Sequence, residues 1–373
     1  MSHSVLVTGA GGGGGENLIN SLRASGLDLN IYGSNMDEHL LAKSSADFTL
    51  WLPSARLPRY TQDLAEAVEA HAIELVIPNN DTEVGRISRD REMLPCRIFL
   101  PPDEEVSVCQ DKLQLYRRLA ERNIPQAHCR ELASLDDIDD FVSSAGFEKY
   151  WLRPRKGSGS MGATWVRTAE QARNWVKLWV ELRGFRINDF TISEFLPGRD
   201  YAFQSVWKNG ELQVAKMVER LSYVMGRNRL SNMSSTPAVA RTIEDKAALE
   251  TIIAAIHTVS DRPQGNYNLD LKGNCEGVMC VTEFNIGRFC MITPIFDLTG
   301  RYNTAEVHVA CALDLPLEIE EPIDIEPDIY LIRELDTRPQ IISGRELETC
   351  VKHAKVLAKA PAGRPAAHRP VAP

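Results

Sequence analysis

The sequence lacks the cysteine and histidine patterns that mark disulfide frameworks and zinc sites. Its eight cysteines are scattered and form no C-x-x-C pair, and its eight histidines show no H-x-x-x-H spacing. It also has no apolar run of about 18 residues and no charged leader followed by a hydrophobic segment. We therefore expect a cytoplasmic protein with reduced thiols, no zinc site and no membrane partner.

An excess of basic residues is absent as well. The chain carries 42 Lys and Arg against 51 Asp and Glu, which gives a net charge of −9. Nucleic acids and anionic membranes both require a basic surface, so neither is expected as a partner. With 373 residues, of which 43% are hydrophobic and 25% charged, the chain is typical of a globular enzyme with about two to three domains.

Glycine, by contrast, is concentrated near the N-terminus, in VLVTGAGGGGGENLINSLRASG. Gly9, Gly11 and Gly14 fit the G-x-G-x-x-G spacing of a dinucleotide site between a strand and a helix. The acid that would bind the ribose about 20 residues further on is missing, because the next strand ends in Ser34 and Asn35. We favour a structural role, in which the glycines allow a tight turn, and keep NAD(P) binding as the alternative.

Strands and helices alternate in short units up to about residue 105, which predicts a parallel sheet. Short strands separated by turn residues follow from Tyr150. The final segment, residues 360–373, is rich in Pro and Ala without periodicity and is predicted to be a disordered tail. The predicted strands of the first part are Val5–Thr8, Asn30–Gly33, Glu74–Pro78 and Arg97–Leu100, and the predicted helices are Glu16–Arg23, Tyr60–His71, Ser107–Glu121, Ser134–Gly146 and Glu244–Val259.

Four segments further along the chain carry groups suited to binding a nucleoside triphosphate. A Gly/Ser loop between two strands can fold over phosphates, which its amides and basic side chains would meet. Glu283 and Asn285, at i and i+2 on one strand face, offer the oxygen ligands that magnesium prefers. Each segment alone could be a surface hairpin or a solvated strand; together, in this order, they favour a nucleotide site. They are Lys112 in CQDKLQLYRRLAERNIP, the loop with Arg153, Arg155 and Lys156 in YWLRPRKGSGSMGATWV, the Pro-Gly turn in TISEFLPGRDYAFQSVW, and the hairpin GNYNLDLKGNCEGVMCVTEFNIGRF.

In these segments the sequence resembles the ATP-grasp superfamily, and within it the carbamoyl phosphate synthetase large-subunit-like ligases. The resemblance implies an α/β fold, α+β in its ATP-grasp part. A Rossmann-like pre-ATP-grasp domain over 1–105 would precede an N-lobe with a phosphate-binding lid over 106–192 and a C-lobe with the metal site over 193–350. In that superfamily the opening domain generally holds no dinucleotide, and ATP lies between the two later lobes.

The resemblance also implies an ATP site made of four groups of residues. These are two phosphate-binding bases, a lid over the β- and γ-phosphates, a hinge whose backbone recognises adenine, and an acid that binds the ribose hydroxyls. In that order they are Lys112 and Arg153; Gly157, Ser158, Gly159, Ser160 and Gly162; Glu194, Phe195 and Leu196; and Asp200.

The implied metal site holds Mg²⁺, or Mn²⁺ in its place, on Glu283 and Asn285. The preceding strand would add a ligand, for which position favours Asn268 and Asp270 stays open. The superfamily commonly ends this strand in Glu-x-Asn-Pro-Arg, whereas here one residue is inserted before Arg288. We expect Arg288 to remain the anion clamp.

The function implied is an ATP-dependent carboxylate–amine ligase that forms an acyl phosphate, couples it to an amine and releases ADP and phosphate. Arg288 and Arg220 would stabilise the charge of acyl transfer, although Arg220 could equally be a solvated base. Arg227 and Arg229 are weaker candidates for a substrate contact. The expected partners are small carboxylates and amines, with an amino acid or peptide favoured, and a homodimer by analogy.

Two alternatives remain, an NAD(P)-dependent oxidoreductase and a non-catalytic ATP-binding regulator. In the segment PNNDTEVG, the residues Asn80, Asp81 and Glu83 follow a strand and would face the cleft. They could recognise a substrate ammonium group or cap the following helix, and capping is favoured.

Overall fold

The computed structural model describes residues 2–157, 159–335, 340–346 and 348–349. Within them the strands form three sheets that follow one another along the chain. We name three units by these sheets: the Rossmann-like unit (residues 3–98), the lid unit (129–194) and the large-sheet unit (200–343). The predicted disordered tail lies outside the described residues.

The Rossmann-like unit is a parallel sheet in the order β3-β2-β1-β4-β5. The side chains from Val5 to Thr8 are all buried, as expected for a parallel strand covered on both faces. The predicted strands are present, but a short edge strand and a helix capped by Asp37 were missed. The elements are β1 His3–Thr8, α1 Gly13–Arg23, β2 Leu29–Asn35, α2 Glu38–Lys43, β3 Phe48–Trp51, α3 Tyr60–Ala70, β4 Leu75–Ile77, α4 Asp81–Arg89 and β5 Arg97–Ile98.

Two helices, α5 (Asp103–Gln110) and α6 (Lys112–Ala120), occupy the region where a single helix over Ser107–Glu121 was predicted. That prediction was wrong because Asp111 is extended, with φ −108° and ψ 102°, and caps α6. Its carboxylate accepts hydrogen bonds from the backbone of Leu113 and Gln114. The break places Lys112 at the first position of α6.

The lid unit is an antiparallel sheet in the order β6-β9-β7-β8. Its helix α7, predicted over Ser134–Gly146, begins two residues later at Asp136 and ends at Ala145, where Gly146 forms a left-handed C-cap. The strand β9 crosses the predicted boundary at residue 192, so the connection between lobes begins after Glu194. The elements are β6 Cys129–Glu131, α7 Asp136–Ala145, β7 Tyr150–Pro154, β8 Thr164–Val166, α8 Ala169–Arg183 and β9 Phe190–Glu194.

The large-sheet unit is an antiparallel sheet in the order β14-β13-β10-β11-β12-β15-β16. The hairpin predicted around Glu283 is present as β13 and β14. The elements are β10 Asp200–Lys208, β11 Glu211–Tyr223, β12 Pro237–Thr242, α9 Lys246–Val259, β13 Gly265–Gly273, β14 Met279–Phe284, α10 Thr293–Asp297, α11 Thr304–Leu313, β15 Ile329–Ile332 and β16 Gln340–Ser343.

The hydrophobic cores divide the molecule differently from its sheets. One core joins the Rossmann-like unit to the large-sheet unit, for example Leu18 with Phe289 and Val309. The lid unit instead has a core of its own, with Phe141, Leu152 and Phe190 at its centre. The domain limits inferred from the sequence stay a prediction, but the cores show which units share buried apolar contacts. In the part of the chain described, no helix is long and apolar enough to cross a membrane.

Candidate active site

A cleft lies between the lid unit and the large-sheet unit, with α6 at its back. Its walls come from α6, β7, the loop after β7, the hinge after β9, and the strands β10, β13 and β14. At the hinge the wall is aromatic, with the rings of Trp151 and Phe195 6.3 Å apart; at Lys112 it is charged, with Lys112 3.2 Å from Glu283. We call these two parts the apolar end and the charged end. This division suits a ligand with a flat apolar base and an anionic chain.

The hinge residues Glu194, Phe195 and Leu196 line the apolar end. The backbone amides of Glu194 and Phe195 donate to the carbonyls of His128 (2.9 Å) and Lys149 (3.4 Å). Among the described residues the Leu196 amide has no acceptor in the protein. That amide can therefore serve a base edge, as the predicted adenine contact requires.

Lys112 stands at the charged end and is only 10% exposed. Its ammonium donates to the carbonyl of Gly157 at 2.8 Å and lies 3.2 Å from Glu283 Oε1. Arg153 on β7 also lines the cleft, and no carboxylate within the described ranges pairs with it. The two predicted phosphate-binding bases therefore line the same cleft, and Lys112 lies next to the first predicted metal ligand.

The predicted lid follows β7. Gly157, Gly159, Ser160 and Gly162 all have positive φ, from 57° to 110°, a region in which glycine carries no Cβ penalty. A Cβ on Gly159 would meet no atom of the described residues within 4 Å, so the tip of the loop has open space beside it. Ser158 lies outside the described residues.

Arg155 was expected to meet the phosphates, and the structure assigns it elsewhere. Its guanidinium lies 2.9 Å from Asp111 Oδ2 and 2.8 Å from Glu131 Oε1, which holds the first leg of the lid against α6. Burial alone would raise the pKa of Asp111, but hydrogen bonds and the charge of Arg155 hold this pKa below its ordinary value. Arg155 is thus part of the frame of the lid.

Of the metal ligands predicted on the strands β13 and β14, the structure brings some together and places one elsewhere. Asp270 stands directly opposite Glu283 across β13 and β14, and Asn285 Nδ2 donates to Asp270 Oδ2 at 3.3 Å. Asn268 is fully buried, donates to the carbonyl of Arg288, and is not among the residues that line the cleft. The geometry therefore favours Asp270 as the metal ligand from β13, whereas position in the sequence had favoured Asn268.

This carboxylate pair does not by itself make a complete metal site. Among the described residues no group of three or more His, Cys, Asp or Glu side chains could hold an ion. Magnesium in nucleotide sites takes one or two carboxylates and completes its shell with phosphate and water oxygens. Glu283, Asp270 and Asn285 fit an ion that arrives with a triphosphate.

Asp200 and Arg220 form a buried charge network under the cleft floor. Arg220 Nη2 lies 2.6 Å from Asp200, its Nη1 lies 3.1 Å from Asp270, and the side chain is 13% exposed, so Arg220 is not a solvated base. Tyr223 and Lys272 also bond Asp200, at 2.7 and 3.2 Å. Burial would raise the pKa of Asp200, but Arg220 and Lys272 lower it below its ordinary value. The ribose contact predicted for Asp200 would have to share a carboxylate that already has three partners.

Arg288 reaches the cleft despite the inserted residue. Gly287, at φ 74°, makes the bend that accommodates the insertion. The Arg288 guanidinium then donates to Asp81 at 2.5 Å and to the side-chain oxygen of Asn285. Burial would lower the pKa of Arg288, but the charge and hydrogen bond of Asp81 raise it above its ordinary value.

The segment after β4 behaves as the capping interpretation predicted. Asn80 caps α4 by accepting the amide of Glu83 at 3.0 Å. Glu83 accepts hydrogen bonds from Thr8 and Tyr60 inside the Rossmann-like unit, at 2.5 and 3.0 Å. Asp81 is the member of this segment that reaches the cleft wall, through Arg288.

The glycine run near the N-terminus is closely packed. A Cβ on Gly11 would lie 1.7 Å from the carbonyl oxygen of Leu40, and one on Gly15 would lie 2.3 Å from that of Gly9. The amide of Gly11 donates to Glu16 Oε1 at 2.7 Å. A carboxylate thus takes the place at the start of α1 where a pyrophosphate would bind in a dinucleotide site, which disfavours the NAD(P) alternative.

Comparisons with known proteins agree with this architecture. No protein-family model matches the chain, and no curated protein matches its sequence. An L-amino acid ligase from Bacillus licheniformis is similar in structure, with a TM-score of 0.67, 13% identity, and 88% of this chain and 78% of that one covered. A biotin carboxylase from Campylobacter jejuni, in a β-γ-ATP complex, has a TM-score of 0.68 at 13% identity, and the match covers 88% of this chain and 74% of that chain.

A third similar structure is the N5-carboxyaminoimidazole synthase from Aspergillus clavatus, in complex with ADP and 5-aminoimidazole ribonucleotide. Its TM-score is 0.66 at 14% identity, and the match covers 89% of this chain and 81% of that chain. At these identities the similarity establishes the fold. The chain has the fold of ATP-grasp ligases, as the motifs predicted.

Proposed function

We propose that the protein is an ATP- and Mg²⁺-dependent carboxylate–amine ligase. The observation that carries this proposal is the meeting of Lys112 from α6, Gly157 from the lid and Glu283 from β14 within hydrogen-bond and ion-pair distance. These three groups come from distant parts of the sequence. Their convergence at the charged end of the cleft is what binding of a nucleoside triphosphate requires.

Different residues of the cleft would bind the different parts of ATP. Leu196 and its neighbours would bind adenine, Asp200 the ribose, and Lys112, Arg153 and the lid the phosphates. Glu283, Asp270 and Asn285 would hold a Mg²⁺ or Mn²⁺ ion, which when bound supplies positive charge to the phosphate oxygens. Since Lys112 is paired with Glu283 in this structure, the arrival of the metal and phosphates would exchange that contact for two new ones.

The reaction proposed has two steps. A substrate carboxylate oxygen attacks the γ-phosphorus, the bond to the β-γ bridging oxygen breaks, and ADP leaves. An amine then attacks the carbonyl carbon of the acyl phosphate, loses a proton and expels phosphate. Lys112 and Arg153 balance the charge of the first step, Arg288 stabilises the second, and the closed lid excludes water. Because two acids pair with Arg220, we assign it a positioning role.

The L-amino acid ligase among the similar structures supports an amino acid or peptide as a substrate. The similar biotin carboxylase domain described as a dimer supports the homodimer, which sedimentation would test. Small carboxylates paired with amino acids, screened for phosphate release, would identify the pair that turns over.

Glu283→Gln tests the site assignment. We expect loss of turnover and weaker MgATP binding, because the substitution removes the carboxylate charge beside the phosphates. Glu276→Gln, an exposed acid in the turn of the same hairpin, is the matched control and should behave as wild type. Unchanged turnover in Glu283→Gln would remove the metal site from the proposal.

The two alternatives predict different results with the wild-type protein. A rise in the unfolding midpoint with NADH or NADPH but not with MgATP would indicate a dinucleotide enzyme. MgATP binding without phosphate release for any carboxylate and amine would indicate a regulator. The intact set of Lys112, Glu283, Asp270 and Asn285 argues against both.

A further inference from the structure

The lid is fastened at both of its ends, and the second fastening is a tryptophan. The indole Nε1–H of Trp175, on α8, donates to the carbonyl of Gly162 at 2.9 Å. We propose that Trp175 is a positioning residue that holds the second leg of the lid so that the lid amides meet the β- and γ-phosphates. This inference rests on the proposed function, since it assigns a purpose to the same loop.

The first leg of the lid is held by main-chain bonds as well as by the Arg155 ion pairs. The carbonyl of Arg155 accepts the amide of Lys112 at 2.9 Å, and its amide donates to the carbonyl of Asp189 at 2.7 Å. Position 155 therefore does not move independently of α6 and β9. Any closing movement must start after it.

The second leg is held at Gly162, which is buried. With φ 70°, a Cβ there would lie 2.9 Å from Pro154 Cγ and 3.5 Å from the ring of Trp179. Packing fixes where Gly162 sits, and the indole hydrogen bond fixes the direction of its carbonyl. Because the peptide unit is planar, that direction also fixes the amide of Ala163, which donates to the carbonyl of Ser160 in the lid at 3.2 Å.

An aromatic row ties this fastening to the core of the lid unit. Ring centroids are 6.1 Å apart from Trp175 to Trp179, 5.5 Å from Trp179 to Phe185, and 5.6 Å from Phe185 to Phe190, which is a fully buried residue of β9. Aromatic side chains have few rotatable bonds and pack rigidly. The indole donor is therefore held in place before any ligand arrives.

The segment between the two fastenings has little packing. Gly159 has open space around it, and Met161 is 44% exposed. Among the described residues, Lys112 donates to the carbonyl of Gly157 at 2.8 Å and Arg229 donates to the carbonyl of Gly159 at 3.3 Å. The stretch between the two fastenings is short, and a loosened leg at Gly162 would displace it.

Trp175→Phe tests the proposal because it keeps an aromatic ring and removes the donor. We expect MgATP to bind about three- to tenfold more weakly, the value of one hydrogen bond. AMP, which lacks the β- and γ-phosphates, should bind as to wild type. ATP hydrolysis without amide formation should rise, because a loose lid admits water to the acyl phosphate.

Trp179→Phe is the matched control. Trp179 lies one turn further along α8 in the same aromatic row, and in the described part of the chain its indole nitrogen donates no hydrogen bond. The Trp179→Phe variant should have the same ratio of MgATP affinity to AMP affinity as wild type. An equal effect in both variants would attribute the role to ring packing and overturn the proposal, as would an unchanged ratio in Trp175→Phe.

A measurement on the wild-type protein keeps the proposal testable if Trp175→Phe fails to fold. With the indole nitrogens labelled with ¹⁵N, the Trp175 N–H should exchange with solvent more slowly than that of Trp179. The signals are assigned by elimination from Trp→Phe variants at the other positions. Exchange at equal rates would overturn the fastening itself. No MgATP binding by wild type would instead remove the proposed function, and this inference with it.

Discussion

Two glycine-rich segments, residues 9–15 and the lid after β7, are packed in opposite ways. In the segment 9–15, added Cβ atoms would collide with backbone at 1.7 and 2.3 Å, whereas in the lid a Cβ on Gly159 would meet no atom of the described residues within 4 Å. The first segment is closed by Glu16, which takes the Gly11 amide. The described part of the lid is held at its two ends and has few contacts between them. Glycine serves close packing in the first segment and leaves open space around the tip of the second.

The neighbours of each segment explain the difference. The first glycines lie in a turn between β1 and α1, and α1 shares a hydrophobic core with the large-sheet unit. The lid connects two strands of a unit that has its own core, and its tip projects from that core. A segment inside a shared core must be close-packed, while a projecting loop can exchange water for a ligand.

Among the substitutions that test this comparison, we expect Gly11→Ala to have the largest effect on the free energy of unfolding. Position 11 has a φ of 78°, and an alanine Cβ there would lie 1.7 Å from the carbonyl oxygen of Leu40. The substitution should therefore lower the free energy of unfolding by more than about 3 kcal/mol, which urea denaturation would measure. The folded fraction should bind MgATP normally. Gly26→Ala, whose Cβ would meet only a Glu306 carboxylate oxygen at 3.4 Å, is the control. Loss of MgATP affinity in folded Gly11→Ala would mean that this segment binds the nucleotide.

Glu16→Ala should have the next largest effect. Its carboxylate accepts the amide of Gly11 at 2.7 Å and that of Ser45 at 3.0 Å, so removing it leaves both donors without an acceptor. We expect a loss of about 1–3 kcal/mol in the free energy of unfolding, with no effect on MgATP affinity. Glu69→Ala, at an exposed position of α3, should cost less than about 0.5 kcal/mol. A stability equal to wild type would show that solvent replaces the carboxylate.

Asp111→Asn tests the ion pair at the base of the lid through the pH dependence of stability. The folded-state pKa of Asp111 is lowered, so its contribution to stability is complete above the unfolded pKa of about 3.9 and is lost as pH falls through the folded pKa. At pH 7 the variant should be less stable by about 1–3 kcal/mol, and the gap should narrow below about pH 4. Denaturation at both pH values checks this; a constant gap would show that the charge is unimportant.

Gly159→Ala should have the smallest effect on stability, about 1 kcal/mol for a positive φ without a clash. Gly146→Ala is its matched control, since this residue also has positive φ, 65°, and nothing within 4 Å of the added Cβ, but lies at the end of α7. Both variants should lose the same stability. Only Gly159→Ala should weaken MgATP binding, measured by calorimetry, by a few-fold; equal affinities would show that the tip does not touch the phosphates.

Much of the candidate site could be read from local patterns. The lid glycines stand between two strands, and Glu283 and Asn285 share a strand face by alternation. Such features depend on neighbours a few residues apart, so spacing reports them. The single helix predicted across Asp111 was wrong because Asp111 is extended and caps α6, and Arg155, 44 positions away, also holds its carboxylate.

The sequence by itself determined the order of the units, the loop after β7 and the motifs proposed to bind the phosphates, because those follow from local conformational preference and periodicity. Only the tertiary structure decided that Asp270 rather than Asn268 faces Glu283, because that depends on strand register. It alone joined Tyr223 and Lys272 to Asp200, Asp81 to Arg288, and Trp175 to Gly162. Each of those contacts spans a distance that packing closes and that no spacing along the chain encodes.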